Sequence, residues 1–172
     1  QSDVSVAELL AAFWNWADTY YVRDGNPTKE LKSLREAIRP LKKLYGHTNA
    51  CEFGPIALKA VRQSMADSGW CRTHTNHQIN RVRRVFKWAV ESELVPPSVY
   101  HGLQAVAGLK RGRCEVRESE PVKPVPAAFV EAVIPHVSAQ VATMIRLQEL
   151  TGMRPGEVVI MRGCDIDTTG EL

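Results

Sequence analysis

Two stretches of the chain carry side chains suited to work on phosphates. One is LTGMRPGEVVIMRGCDID, residues 150–167, in which Arg154 stands between Gly152 and Pro155. A glycine can take the left-handed conformation that ends a helix, and a proline has its φ already set for the first turn of the next. The spacing therefore predicts Arg154 at the cap of a short helix over 155–162. Unbonded N–H groups and the positive end of the helix dipole favour an anion there. A guanidinium adds a planar fork matched to two phosphate oxygens. Glu157, one turn on, is placed to fix the junction in a supporting role. Arginines at ordinary helix junctions also bridge carbonyls or a carboxylate, so G-x-R-x-x-E alone leaves both readings open.

The other stretch is TNHQINRVRRVFKWAVESEL, residues 75–94. Ile79, Val82, Val85, Phe86, Ala89 and Val90 recur at helical spacing and predict a buried stripe. Asn76, Asn80, Arg83, Arg84 and Lys87 take the other face, with His77 and Arg81 flanking it and Arg72 and Thr73 leading in. Lys and Arg neutralise phosphates by counterion release, while Asn, Gln and Arg reach base edges in a major groove wide enough for a helix. A solvated helix face is the plain alternative, but such faces intersperse both signs, and no acid lies between Arg72 and Trp88. Lys110, Arg111 and Arg113 follow in a stretch that reads as a basic strap.

Stepping outward, these residues need elements to hold them. Ser5 followed by Glu8 is a capping-box pattern that starts a helix over 6–21, not a secretory signal. A turn at Asp24–Pro27 leads to a second helix over 28–44, which Pro40 should kink or interrupt. Gly54 and Pro55 open a third helix, closed by Ser68 and Gly69; a fourth runs over 73–94 and a fifth over 98–106. Residues 108–126, GLKRGRCEVRESEPVKPVP, read as an extended linker. Helices over 127–134 and 138–150 follow, with Ala142, Ile145, Glu149 and Leu150 inward, and a strand over 165–172.

Composition narrows the class. With 172 residues, 44% hydrophobic and 24% charged, the chain is globular and exceeds one small domain. Its net charge is only +3, but residues 72–113 hold eight Lys or Arg against two acids, an excess of six that leaves the remainder at −3. No apolar run is long enough for a membrane span, so no membrane partner is expected. Cys51, Cys71, Cys114 and Cys164 are scattered, and His74 and His77 lack spaced partners, which argues against disulfides and a zinc site. Asp165, Asp167, Thr169 and Gly170 match only the start of a calcium loop and lack its closing Glu.

The ordered combination of a basic helix TNHQINRVRRVFKWAVESELVP, a basic linker, two helices and LTGMRPGEVVIMRGCDID resembles the phage-integrase family of tyrosine recombinases over nearly the whole chain. The resemblance implies an all-α core-binding (SAM-like) domain of four to five helices over 1–107, a basic interdomain linker over 108–126, and the first helices of an incomplete mixed α/β catalytic domain over 127–172. In that family the arginine of TG-x-R-x-x-E binds the scissile phosphate, a role that maps to Arg154, with Glu157 in support. The family's chemistry is attack of a tyrosine on DNA to give a 3′-phosphotyrosyl intermediate, without metal or cofactor. After Asp167 only TTGEL remains, so the family's hairpin lysine, H-x-x-R segment, later His or Trp and nucleophilic tyrosine have no counterpart, and Tyr20, Tyr21, Tyr45 and Tyr100 lie in the first domain. The chain is thus expected to be a fragment that binds DNA without cleaving it. Its expected partners are a double-stranded recombination site and, in the complete protein, other recombinase protomers, on the nucleoid in the cytoplasm. A non-catalytic helical DNA-binding regulator and a helical protein-interaction module are the competing readings.

Overall fold

The computed structural model describes residues 3–166 and Gly170. The chain divides into two compact units, Gln1–Glu120 and Pro121–Leu172. Both are helical, and the described residues hold one two-stranded sheet. No helix among them is long and apolar enough to cross a membrane.

In the first unit α1 (Val6–Tyr20) begins at the expected capping box, where the Glu8 amide donates to Ser5 Oγ at 3.3 Å and the Ser5 amide to Glu8 Oε2 at 2.8 Å. Val6, Leu9, Leu10, Phe13 and Ala17 turn inward. The turn after it is a small hairpin, β1 (Val22–Arg23) against β2 (Asn26–Pro27), which the sequence reading took as a plain turn. Asp24 and Gly25 take φ of 51° and 76°, the paired positive values of the type I′ turn that Asp-Gly favours.

The helix α2 (Lys29–Tyr45) runs through Pro40, so of the two expected outcomes, kink or interruption, the interruption does not occur. A proline removes one donor, which leaves only the Glu36 carbonyl without its helical partner. Buried Leu34 and Ala37 before it and Leu41 after it anchor both sides to the core. Next come α3 (Pro55–Asp67), α4 (Arg72–Glu91) and α5 (Pro97–Gln104). The centre of the unit is α4, which packs against α1, α2, α3 and α5. Its Phe86 stacks on Phe53 at 4.8 Å between ring centroids, and its Trp88 meets Phe13 edge-on at 5.4 Å.

The second unit holds α6 (Ala127–Val133), α7 (Ala139–Thr151) and α8 (Pro155–Ile160). Val158 is its one buried residue among those described. Ala142 and Ile145 are half-buried, but Leu150 is 83% exposed and Glu149 pairs with Arg146 at the surface, which corrects the inward placement of both. Of the expected strand, Asp165 closes a 3-10 turn, Gly163–Asp165, and Ile166 is extended; Asp167–Thr169, Glu171 and Leu172 lie outside the described residues.

The end of α4 explains why it stops three residues earlier than expected. The Leu94 amide donates to the Ala89 carbonyl at 2.9 Å and the Glu93 amide to Val90 at 3.0 Å, the paired bonds of a Schellman cap. That cap puts Glu93 at φ 55°, a conformation costing an L-residue about 1 kcal/mol. Glu93→Gly should therefore raise the unfolding free energy by about 0.5–1 kcal/mol. Urea denaturation measures this, and a loss of stability would show that the cap is not strained.

Candidate nucleic-acid interface

With α4 in contact with four other helices, its circumference is divided strictly. Thr75, Gln78, Ile79, Val82, Val85, Phe86 and Ala89 are buried, which adds two polar residues to the expected stripe. Val90 is half-buried. The exposed residues are His77, Asn80, Arg84, Lys87 and, at the end of the helix, Glu91, a single row at i, i+3, i+7, i+10 and i+14. Arg72, Thr73, Asn76, Arg81 and Arg83, also expected on the DNA face, are half-buried beside it.

Most of those half-buried side chains hold other parts of the fold. Arg81 forks onto Glu30 of α2 at 3.0 and 2.8 Å, and Arg84 reaches the same carboxylate at 2.7 Å and Tyr21 Oη at 3.3 Å. Burial alone would raise the Glu30 carboxyl, but the hydrogen bonds and charge of Arg81 and Arg84 outweigh it and leave it below the usual carboxylate range. Arg72 pairs with Glu118, whose carboxyl that hydrogen bond also lowers, and donates to the Leu109 carbonyl at 3.3 Å. Asn76 clamps the same residue, donating to Leu109 O at 3.0 Å and accepting from Leu109 N at 2.8 Å. The first part of the expected linker is thereby bound to the start of α4. Gly108 fits beside Asn76, where a Cβ would meet Oδ1 at 3.4 Å.

Arg83 differs in bonding only to neutral acceptors. It donates to the carbonyls of Leu103, at 3.1 Å, and Val106, and to Asn80 Oδ1 at 2.9 Å, and so caps the end of α5. Burial, with a smaller contribution from nearby Arg62, pulls its pKa down from the usual arginine value. Arg62 of α3 acts in parallel on the Ala107 carbonyl at 2.7 Å. Two open depressions flank this corner. One is lined by Asn80, Arg83, Arg84 and Lys87 with Tyr100 and Gln104 of α5. The other has Lys59 and Arg62 of α3 on one side and Lys110 and Arg113 on the other. Lys110, Arg111 and Arg113 are exposed. Tyr100, Gln104, Lys59 and Arg62 escaped the sequence reading, because only the fold brings α3 and α5 beside α4.

The second unit carries Arg154 at its own junction. Gly152 ends α7 at φ 69°, Pro155 opens α8, and Arg154 is the N-cap between them. Glu157 accepts from the Arg154 amide at 2.8 Å and from its guanidinium at 3.1 Å. The Arg154 side chain is 86% exposed. His74 lies 3.2 Å from Gln78 Nε2 and edge-on to Trp70, while His77 is exposed.

The lowered Glu30 carboxyl makes a stability statement. Its contribution is present above the ordinary carboxylate value of about 4.3 and is lost as pH falls through the folded value. After discounting for partial exposure, Glu30→Gln should cost about 1 kcal/mol at pH 7. It should cost less near pH 2, because uptake of a proton by the native carboxyl as pH falls removes the ion pairs. Urea unfolding at both pH values measures this, and equal losses at the two would mean that the ion pairs contribute nothing. No family model, no curated protein and no solved structure matches this chain.

Proposed function

We propose that this chain is a duplex-DNA-binding part of a site-specific recombinase of the tyrosine, phage-integrase type. The observation that carries the reading is the exposed row His77, Asn80, Arg84 and Lys87 on a rigid helix that bears no acid before Glu91. Exposed Lys110, Arg111 and Arg113 extend the positive surface along the strap bound to the start of α4. On this reading the first unit is the core-binding, SAM-like domain. The second is the beginning of the catalytic domain, with Arg154 contacting the scissile phosphate and Glu157 steadying it. The complete protein would join DNA through a 3′-phosphotyrosyl intermediate, acting with other protomers on the nucleoid.

Each neutralised phosphate contributes about 0.9 to the slope of log affinity against log salt. Contacts from Arg84, Lys87 and two or three strap cations would give a slope of about −3 to −5. Fluorescence anisotropy with a labelled duplex from low to physiological salt tests this. Steep, salt-dependent binding is expected, and no measurable affinity at low salt would sink the reading.

A further inference from the structure

The depression between α4 and α5 has an unusual lining: three cations and three neutral hydrogen-bonding side chains, with no acid. We propose that it seats one phosphodiester group of duplex DNA, with Lys87 and Arg84 supplying charge and Gln104, Tyr100 and Asn80 supplying donors, and that it reads the backbone rather than a base. The proposal rests on the DNA-binding reading above and adds two ligands from α5 to it.

Charge is the first argument. Arg83 has neutral carbonyl and amide acceptors only, so its positive charge stands uncompensated in the wall of the depression. Arg81 and Arg84 share the single carboxylate of Glu30, which leaves that trio one net positive charge. Lys87 faces Glu91 at 3.4 Å, but with both side chains about 60% exposed the attraction is largely screened. The depression is thus bordered by about two unneutralised positive charges, and an anion is the complement to that.

Donor geometry decides between backbone and base. Reading guanine requires a guanidinium fork aimed at N7 and O6, and reading adenine requires an amide that both donates and accepts. Arg83 directs Nε and both terminal nitrogens at protein acceptors, so its fork is not presented. Arg84 bonds Glu30 and Tyr21 through Nη1, which ties one end of its fork to the protein and leaves its other donors for an anion. Asn80 must turn its oxygen to Arg83, because the guanidinium can only donate, and therefore presents its amide donors elsewhere. What remains is charge at Lys87 and Arg84 and a set of donors, which suits a phosphate and carries no sequence information. The bonds from Arg83 to Leu103 and Val106 bracket Gln104 and hold it in place before any ligand arrives.

The test compares the full chain with Lys87→Ala, Gln104→Ala and Glu91→Gln by anisotropy, across a salt series and a panel of duplexes with single base-pair changes. Circular dichroism confirms folding of these surface variants. Lys87→Ala should weaken every duplex by the same factor and make the salt slope shallower by about 0.9. Gln104→Ala should weaken all duplexes uniformly and leave the slope unchanged, and Glu91→Gln, by removing a negative charge beside the depression, should tighten binding. If the parent chain binds duplex DNA but Lys87→Ala and Gln104→Ala bind as it does, or lose preference at one base pair only, the phosphate seat is refuted while the DNA-binding reading stands. Failure of the parent chain to bind any duplex refutes the reading itself. Inorganic phosphate titrated by NMR supplies the last arm: saturable shifts around Gln104 without duplex binding would mark a site for a free anion and overturn the assignment to DNA.

Discussion

Helix α4 touches α1, α2, α3 and α5, so a helix bearing five Arg or Lys has little circumference left for water. A cation drawn partly out of water needs acceptors that replace its hydration. Each half-buried arginine of α4 finds them in a different neighbour. Arg81 takes Glu30 in α2, Arg72 takes Glu118 and Leu109 in the strap, and Arg83 takes the carbonyls that end α5. The charge on α4 therefore does for its surroundings what the apolar stripe does for the core: it fixes where the surrounding elements lie.

The kind of acceptor sets what reaches the surface. A carboxylate cancels the guanidinium charge, whereas a carbonyl holds the side chain and leaves the charge in place. Glu30 and Glu118 lie outside the basic stretch in sequence but against it in space, so they reduce its excess from six positive charges to four. The positive surface is consequently weaker and more localised than a count along the chain implies. It is concentrated where carbonyls are the partners, at the corner of α3, α4 and α5 around Arg62 and Arg83.

What could be read from the sequence divides along the same line. Helix starts, the apolar stripe of α4, the Gly152 cap and the Pro155 start all depend on partners within a turn or two, and each is plain from spacing. Pro40 does not interrupt α2 because the packing of Leu34, Ala37 and Leu41 outweighs one missing hydrogen bond. The partners that α4 side chains find in other elements lie 20 to 63 residues away along the chain, and periodicity cannot see across such gaps. Arg72, Asn76, Arg81 and Arg83, which helical spacing puts toward the outer face, therefore turn out to be bonded within the fold, and only the fold brings Tyr100 and Gln104 beside them.

The junction at Arg154 shows the opposite case. Every atom that orients it comes from residues 152–157, so its local geometry is as legible as a helix cap. Glu157 uses one carboxylate oxygen for the Arg154 amide and the other for its guanidinium. Only one terminal nitrogen of the fork is engaged, and the side chain stays open to solvent. An ion pair this exposed is largely screened by solvent, so it holds the guanidinium only loosely and leaves most of its donors open. The firm part of the junction is the backbone: the Arg154 amide bonded to Glu157, the left-handed Gly152 and the preset φ of Pro155 define the turn, and the side chain follows from it.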